Sequence, residues 1–188
     1  FGFGRPTGID LPYEAEGMIP DPLWRKLSQR KGWYDGDTAN FAIGQGELMV
    51  TPLQIARMTA VFANGGFLVN PYVLKSVEGL DVSAKRRRAI KVGLKNSTLE
   101  AIRQGMKKTI ADPKGTGHVL AATGLDLAGK TGTVQVPYGA PHGWFAGFLP
   151  FDNPKLVICV LLENVGTGQV SCLMAKEILE AMKEEGLL

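Results

Sequence analysis

The sequence is poor in the residues that build metal sites and disulfide frameworks. It contains two cysteines and two histidines in 188 residues. Cys159 and Cys172 form no C-x-x-C pair, and His118 and His142 lie far apart, so the spacing predicts no metal site. We expect Cys159, inside an apolar run, to be a buried free thiol, with a disulfide as the alternative. No cofactor motif is recognised.

Long apolar runs and strong charge are lacking as well. The longest apolar run, Leu156–Leu162, has the length of a strand and falls short of the ~18 residues that a membrane-spanning helix needs. The net charge is only +3. No aromatic platform accompanies the basic run Lys85–Arg88, which we interpret as a solvated loop and not as a nucleic-acid site. With 45% hydrophobic and 21% charged residues, the composition is typical of one globular domain.

Glycine and proline, by contrast, are abundant, with 24 and 11 residues. They predict a loop-rich segment over residues 1–46, with a short helix at Pro22–Gln29. Thr51-Pro-Leu-Gln54 is a capping box with proline at the first helical position, and it predicts a helix to about Asn64.

Two further helices are predicted from apolar periodicity. One begins at a second capping box, Ser97–Glu100, and ends at Pro113. Its apolar positions are Leu99, Ile102, Met106 and Ile110. The other runs from Val170 to about Glu185. Its predicted apolar side consists of Val170, Leu173, Met174, Ile178 and Met182.

Between these helices the pattern changes to that of strands. Three strands are predicted, at Thr131–Val136, Gly143–Leu149 and Lys155–Glu163. The short turns between them favour antiparallel pairing, because parallel pairing needs a long crossover. The third strand is continuously apolar, and we expect it to be buried on both faces. The expected fold class is therefore α+β, an antiparallel sheet flanked by helices.

The stretch Gly124-Leu-Asp-Leu-Ala-Gly-Lys-Thr-Gly-Thr133 fits two motifs. From Gly124 it has the G-x-x-x-x-G-K-T spacing of a phosphate-binding loop, which must lie between a strand and a helix. The residues after Thr131 include a glycine, two valines and a proline, which make a poor helix start. An aspartate inside the loop would also repel phosphate. A nucleotide site is therefore disfavoured.

From Lys130 the same stretch is K-T-G-T. On a strand, alternation sends Lys130 and Gly132 to one side and Thr131 and Thr133 to the other. The ammonium and the hydroxyls would bind a carboxylate, with charge-assisted hydrogen bonds worth roughly 1.5–3 kcal/mol. Gly132 would let a ligand approach the backbone, and an exposed N–H near Thr133 would serve as an oxyanion donor. Four residues alone leave an ordinary strand surface as the alternative.

Seven short stretches carry a resemblance to one family. They are Gly8-Ile-Asp-Leu-Pro12, Trp33-Tyr-Asp-Gly-Asp-Thr38, Ile43-Gly-Gln-Gly46, Thr51-Pro-Leu-Gln-Ile-Ala56, Lys130-Thr-Gly-Thr-Val-Gln135, His142-Gly-Trp-Phe-Ala-Gly-Phe-Leu-Pro150 and Leu162-Glu-Asn164. In this order they resemble the C-terminal half of the transpeptidase domain of class B penicillin-binding proteins. The second and third stretches look most like the elongation-type, penicillin-binding protein 2 subgroup.

The resemblance implies the fold of penicillin-binding proteins and β-lactamases over residues 1–188. It also implies membrane-anchored enzymes at the periplasmic face of the bacterial inner membrane. Such enzymes cross-link D-alanyl-D-alanine stem peptides of peptidoglycan through a serine acyl-enzyme, and β-lactam antibiotics acylate the same serine. The implied partner is a membrane glycosyltransferase of the elongation machinery, and no nucleic acid is expected.

The resemblance also assigns roles within the K-T-G-T-V-Q stretch. Lys130 supports the electrostatics and proton network of the site, and Thr131 and Thr133 bind the carboxylate of substrate or β-lactam. Gly132 belongs to the same binding strand, and the Thr133 N–H forms one half of the oxyanion hole. Gln135 lines the site further along the strand.

Two of the family's three motifs are missing. The S-x-x-K at Ser28–Lys31 follows Gly8–Pro12, whereas the family's nucleophile precedes that stretch, and no S-x-N occurs. We therefore expect the nucleophile and its lysine upstream of Phe1 in a longer parent, and no catalysis by this chain alone. Two alternatives stay open. One is a D,D-carboxypeptidase or β-lactam-sensing domain, and the other is a non-catalytic interaction domain.

Overall fold

A computed structural model of the chain describes residues 1–81 and 89–188, so the basic run Lys85–Arg88 lies outside the described residues. The first part contains α1 Pro22–Gln29, α2 Asp35–Ala42, α3 Pro52–Ala63 and the short strands β1 Phe67–Val69, β2 Ser76–Val77, β3 Leu80–Asp81 and β4 Ala89–Lys91. The second part contains α4 Asn96–Ala111, a 3-10 helix His118–Thr123, β5 Ala128–Val134, β6 His142–Leu149, β7 Leu156–Leu162 and α5 Gly168–Glu184. None of the helices described is long and apolar enough to cross a membrane.

The two helices predicted at Pro22–Gln29 and from Thr51 to about Asn64 both form, and a side chain caps each of them. In α1 the Asp21 carboxylate accepts from the Trp24 N–H at 2.7 Å. At the start of α3 the Thr51 hydroxyl accepts from the Gln54 N–H at 3.1 Å, and the Gln54 side chain accepts in return from the Thr51 N–H at 3.0 Å. Both predictions are confirmed, because the caps satisfy N–H groups that the helix itself leaves unpaired.

Helix α2 was not predicted, since its sequence has no apolar face. Local polar contacts hold it instead. The Asp37 carboxylate accepts from the Tyr34 N–H at 2.9 Å and forms an ion pair with Arg25 at 2.7 Å. The segment predicted to be loop-rich therefore contains a second short helix.

The apolar face predicted for α4 is confirmed, but its predicted start is not. Leu99, Met106 and Ile110 are buried, as the spacing indicated. The helix begins at Asn96 after Lys95, and no side chain caps it. The capping-box prediction at Ser97 is wrong, because Ser97 already lies inside the first turn and its hydroxyl is not at the N-cap position.

The three C-terminal strands form the predicted antiparallel meander in the order β5-β6-β7. In its register Lys130 faces Ala146, and Phe145 faces Val160. β5 begins three residues earlier than the predicted strand at Thr131 and ends at Val134. Within β7 only Ile158 and Val160 are buried and the other five residues are half-buried, so the expectation of burial on both faces is wrong. One face packs into the core and the other is half-buried.

Helices cover both faces of this sheet. On one face Phe145 packs with Leu120, Leu179 and other residues of α5 and the 3-10 helix. On the other face Phe148 packs with Phe62 of α3 and with residues of α4. Since successive residues of a strand point to opposite faces, odd and even positions of β6 supply the two apolar layers. The predicted fold class is confirmed.

The predicted apolar side of α5 is wrong. Its buried residues are Gly168, Ser171, Cys172, Ala175 and Leu179, whereas Leu173, Met174 and Ile178 are 48%, 39% and 39% exposed. The reason is a close approach of helix and sheet. A Cβ on Gly143 of β6 would lie 2.5 Å from the Thr167 carbonyl oxygen. Small residues therefore face the sheet, and the larger apolar residues are displaced to the outer side.

Candidate functional site

The K-T-G-T stretch lies inside β5, an edge strand. Among the described residues β5 pairs with β6 alone, so its other edge carries no strand. Gly132 faces Trp144 of β6, and a Cβ on Gly132 would lie 3.3 Å from the Trp144 Cβ. Lys130 lies within a strand and not at a helix N-terminus, which excludes the geometry of a phosphate-binding loop.

Backbone groups of Thr131 and Thr133 point to the free edge. The Thr133 carbonyl accepts from the Gln45 side-chain amide at 3.0 Å, and the Thr131 carbonyl accepts from the Lys130 ammonium at 2.7 Å. In an antiparallel strand the N–H and C=O of one residue point the same way. The Thr133 N–H therefore lies on the free edge, as an oxyanion donor requires.

The two threonine hydroxyls lie on the face that α5 covers. The Thr131 hydroxyl lies 2.7 Å from that of Thr116, and the Thr133 hydroxyl accepts from the Gly168 N–H at 3.0 Å. Because the Thr133 oxygen accepts at this point, its hydrogen is free to be donated to a ligand. The predicted alternation of Lys130 and Gly132 against Thr131 and Thr133 is thereby confirmed.

Lys130 supplies the positive charge of this edge. It is exposed, and in the described part of the chain it forms no ion pair with a carboxylate. Burial raises the pKa of the Cys172 thiol to about 11, although the charge of Lys130 acts in the opposite direction. Burial likewise raises the pKa of Cys159 to about 11. Both cysteines are free thiols that stay neutral at pH 7, so neither is a candidate nucleophile.

The S-x-x-K stretch at Ser28–Lys31 does not form a nucleophile site. The Ser28 hydroxyl donates to the Trp24 carbonyl of its own helix at 2.7 Å. Helix α1 ends at Gln29, and Arg30 takes a left-handed conformation with φ of 54°. Lys31 is therefore not on the helical turn after Ser28, where a lysine partner would have to lie.

Gln135 lies one residue beyond β5 and is exposed. The structure brings Lys130 to Thr133 together on one strand, whereas Gln135 continues past the end of that strand. Its role in binding stays a prediction.

Sequence reasoning missed two residues that contact this strand, Thr116 and Gln45. Each is flanked by glycine on both sides. Gly115 and Gly117 allow the Thr116 turn to lie against the end of α4, since a Cβ on Gly117 would lie 2.8 Å from the Ile110 Cδ1. A G-x-G pattern around a polar residue was the available signal, because glycine permits tight turns that present one side chain.

Comparisons with known proteins identify the family of this chain. A family described as penicillin binding protein transpeptidase domain matches residues 1–180. The peptidoglycan D,D-transpeptidase MrdA of Haemophilus influenzae is 33% identical over 200 residues, covering 96% of this chain and 31% of the relative. The protein of the same name from Acinetobacter baumannii is 34% identical over 198 residues, covering 96% of this chain and 29% of the relative. The chain thus spans about a third of these relatives' length.

Solved structures share the fold. Penicillin-binding protein 2 of Helicobacter pylori, in complex with MreC, superposes with a TM-score of 0.83 at 34% identity, covering 100% of this chain and 34% of that chain. Penicillin-binding protein 2 of Pseudomonas aeruginosa, in complex with WCK 5153, superposes with a TM-score of 0.82 at 31% identity, covering 96% and 40%. The resemblance inferred from seven short stretches is confirmed.

Proposed function

Because this chain belongs to the family of penicillin-binding protein transpeptidase domains, we propose that residues 1–188 are the C-terminal part of a peptidoglycan D,D-transpeptidase. The parent protein cross-links stem peptides ending in D-alanyl-D-alanine through a serine acyl-enzyme, and β-lactams acylate the same serine. One observation carries the proposal. K-T-G-T lies on a free strand edge, with the Thr133 backbone directed outward beside the Lys130 ammonium.

This edge suits an extended peptide substrate. A peptide that adds as a strand to β5 pairs with the outward backbone groups of Thr131 and Thr133. The Lys130 ammonium and the threonine hydroxyls bind its carboxylate, and Gly132 leaves room for close approach. The Thr133 N–H stabilises the developing oxyanion, a contribution of about 3–4 kcal/mol for one such donor. Gln135 contacts the substrate beyond the strand end.

The nucleophile belongs to another part of the parent. Ser28 is bound to its own helix and both thiols are neutral, so the described residues offer no activated nucleophile at β5. We place the S-x-x-K serine, its lysine and the S-x-N motif in a segment that precedes Phe1. Two surfaces that a further segment would cover support this: the exposed apolar face of α5, and the outer edge of β7, which carries no strand among the described residues.

The names of two similar structures support a proposal about partners. One similar structure is of a penicillin-binding protein 2 bound to MreC, and another is described as a peptidoglycan synthase complex that coordinates polymerization and crosslinking. We propose that the parent works at the periplasmic face of the inner membrane beside a membrane glycosyltransferase.

Fluorescent penicillin labelling followed by mass spectrometry of the adduct tests the proposal. We expect the full-length parent to be labelled upstream of Phe1 and this chain alone to remain unlabelled. In the parent, Lys130→Ala abolishes or strongly slows labelling, whereas Lys155→Ala, at an exposed lysine beside β7, leaves it unchanged. Labelling of this chain at Ser28 would show that the nucleophile is misplaced. A parent that is not labelled would contradict the acyl-enzyme function.

A further inference from the structure

Gln45 occupies the backbone acceptor that a peptide strand would need. Its Nε2 donates to the Thr133 carbonyl at 3.0 Å, across 88 positions of sequence. The carbonyl lies on the free edge of β5, the edge that pairs with no other strand among the described residues. The Gln45 amide therefore stands where the N–H of a bound peptide would stand.

The loop around Gln45 directs its side chain to β5. Gly44 and Gly46 have φ of +75° and +80°, a left-handed conformation that other residues adopt only with strain. The Gln45 N–H donates to the Asn40 carbonyl at 2.9 Å, and the Gly44 N–H donates to the Phe41 carbonyl at 3.1 Å. The backbone of Gln45 is thus attached to the end of α2, and the contact with Thr133 does not depend on a freely moving loop.

We propose that Gln45 is a specificity-determining residue of the reaction proposed above, because its amide competes with the ligand N–H for the Thr133 carbonyl. The inference rests on that proposed function. A ligand that offers an amide N–H to this carbonyl must displace Gln45, so it exchanges one hydrogen bond for another. A ligand without such an N–H leaves Gln45 in place.

The two kinds of ligand respond differently when Gln45 is removed. Without the competitor, a ligand that carries the N–H gains its hydrogen bond in full. One net hydrogen bond corresponds to roughly a 2- to 10-fold change in rate. A ligand without the N–H gains nothing, because it never used the Thr133 carbonyl. The ratio of the two acylation rates therefore reports on Gln45 and cancels general effects on folding or on the nucleophile.

The experiment measures second-order acylation rates of the full-length parent. The ligands are a fluorescent penicillin, which has an acylamino N–H, and a carbapenem, which has none and is followed by competition with the penicillin. The variants are Gln45→Ala and Gln45→Glu, which keeps the shape but cannot donate when ionised. Gln29→Ala is the matched control, because Gln29 donates to Glu47 at 3.2 Å in the same region without touching β5.

We expect Gln45→Ala and Gln45→Glu to raise the penicillin-to-carbapenem rate ratio roughly 2- to 10-fold, and Gln29→Ala to leave it unchanged. An unchanged ratio in both Gln45 variants, or an equal loss of both rates, would show that Gln45 only tethers β5 and would overturn the inference. A wild-type parent that reacts with neither ligand would overturn the proposed function and the inference with it. If Gln45→Ala does not fold, the penicillin-to-carbapenem rate ratio of Gln45→Glu tests the inference.

Discussion

Residues 1–50 and residues 96–184 contribute to the same strand edge but are held in place by different forces. In the first region large apolar side chains face solvent, with Tyr13, Leu27 and Ile43 at 101%, 73% and 74% exposure. In the second region Phe145 and Leu179 are fully buried. The first region depends on caps, ion pairs and carboxylate contacts, whereas the second depends on a packed apolar core.

The difference shows how the site combines a rigid part with a more easily moved part. K-T-G-T lies on a strand whose neighbours are buried, so its position follows from the core. Gln45 comes from the polar region and reaches the same edge through one hydrogen bond. Regions with few buried apolar contacts open locally at lower free energy than the core. The Gln45 contact, which a ligand must displace, therefore belongs to the region that opens locally at the lower free energy.

The largest expected effect comes from breaking the core. Phe145→Ala removes a fully buried ring under α5 and lowers the free energy of unfolding by about 3–5 kcal/mol. Phe41→Ala, at a phenylalanine of the polar region that is 37% exposed, changes it by about 1 kcal/mol or less. Urea unfolding followed by circular dichroism measures both. Equal losses would show that the two regions form one cooperative core.

Alanine substitutions at two helical glycines are expected to have effects of intermediate size on the free energy of unfolding. The two effects have opposite signs. A Cβ at Gly168 would collide with the Gly132 carbonyl oxygen, so Gly168→Ala separates α5 from β5 and destabilises by about 1–3 kcal/mol. A Cβ at Gly105 in α4 meets no atom within 4 Å. Gly105→Ala therefore stabilises by about 0.5–1 kcal/mol, because alanine favours the helix.

Thermal unfolding of the two glycine variants shows whether each substitution raises or lowers the melting temperature. Penicillin labelling of the full-length parent that carries Gly168→Ala adds a measurement of function. The substitution affects Gly132, which directly precedes Thr133, the proposed oxyanion donor. If both variants shift the melting temperature in the same direction, the close approach of α5 to β5 is not the reason for glycine at 168.

The sequence predicted the elements whose signals are local. A capping box and a proline marked α3, and short turns between apolar runs marked the antiparallel meander. The wrong prediction for the apolar side of α5, by contrast, has a tertiary cause. The small-residue face of α5 is selected by glycines of a distant strand, and hydrophobic periodicity instead favours its large exposed residues.

The residues of the candidate site also fall into two groups, those that local signals predicted and those that they did not. Lys130 to Thr133 were recognisable because their motif is contiguous and its strand pattern is clear. Thr116 and Gln45 were not, because their contacts with the strand join positions that are 15 and 88 residues apart. Their flanking glycines predict turns but do not predict which strand the turns face.

The smallest expected effect concerns pH and is confined to the polar region. The Glu14 carboxylate accepts from the Thr7 N–H at 2.8 Å and from the Gly8 N–H at 3.1 Å. Burial raises the pKa of Glu14, but these hydrogen bonds and the charge of Arg57 outweigh it and lower the pKa below its ordinary value of 4.5. A carboxyl whose pKa is lowered by folding contributes stability above its unfolded pKa. That contribution is lost as the pH falls through the folded value.

Amide chemical shifts and hydrogen exchange between about pH 6 and about pH 3 test this difference. Thr7 and Gly8 lose protection below the ordinary pKa of 4.5, whereas Phe145 in the apolar core keeps its protection over the same range. Glu14→Gln removes the titration, because the amide keeps an acceptor but carries no ionisable proton. If Thr7 and Phe145 lose protection together, acid unfolds both regions as one unit. The polar region would then not open at lower free energy than the apolar core.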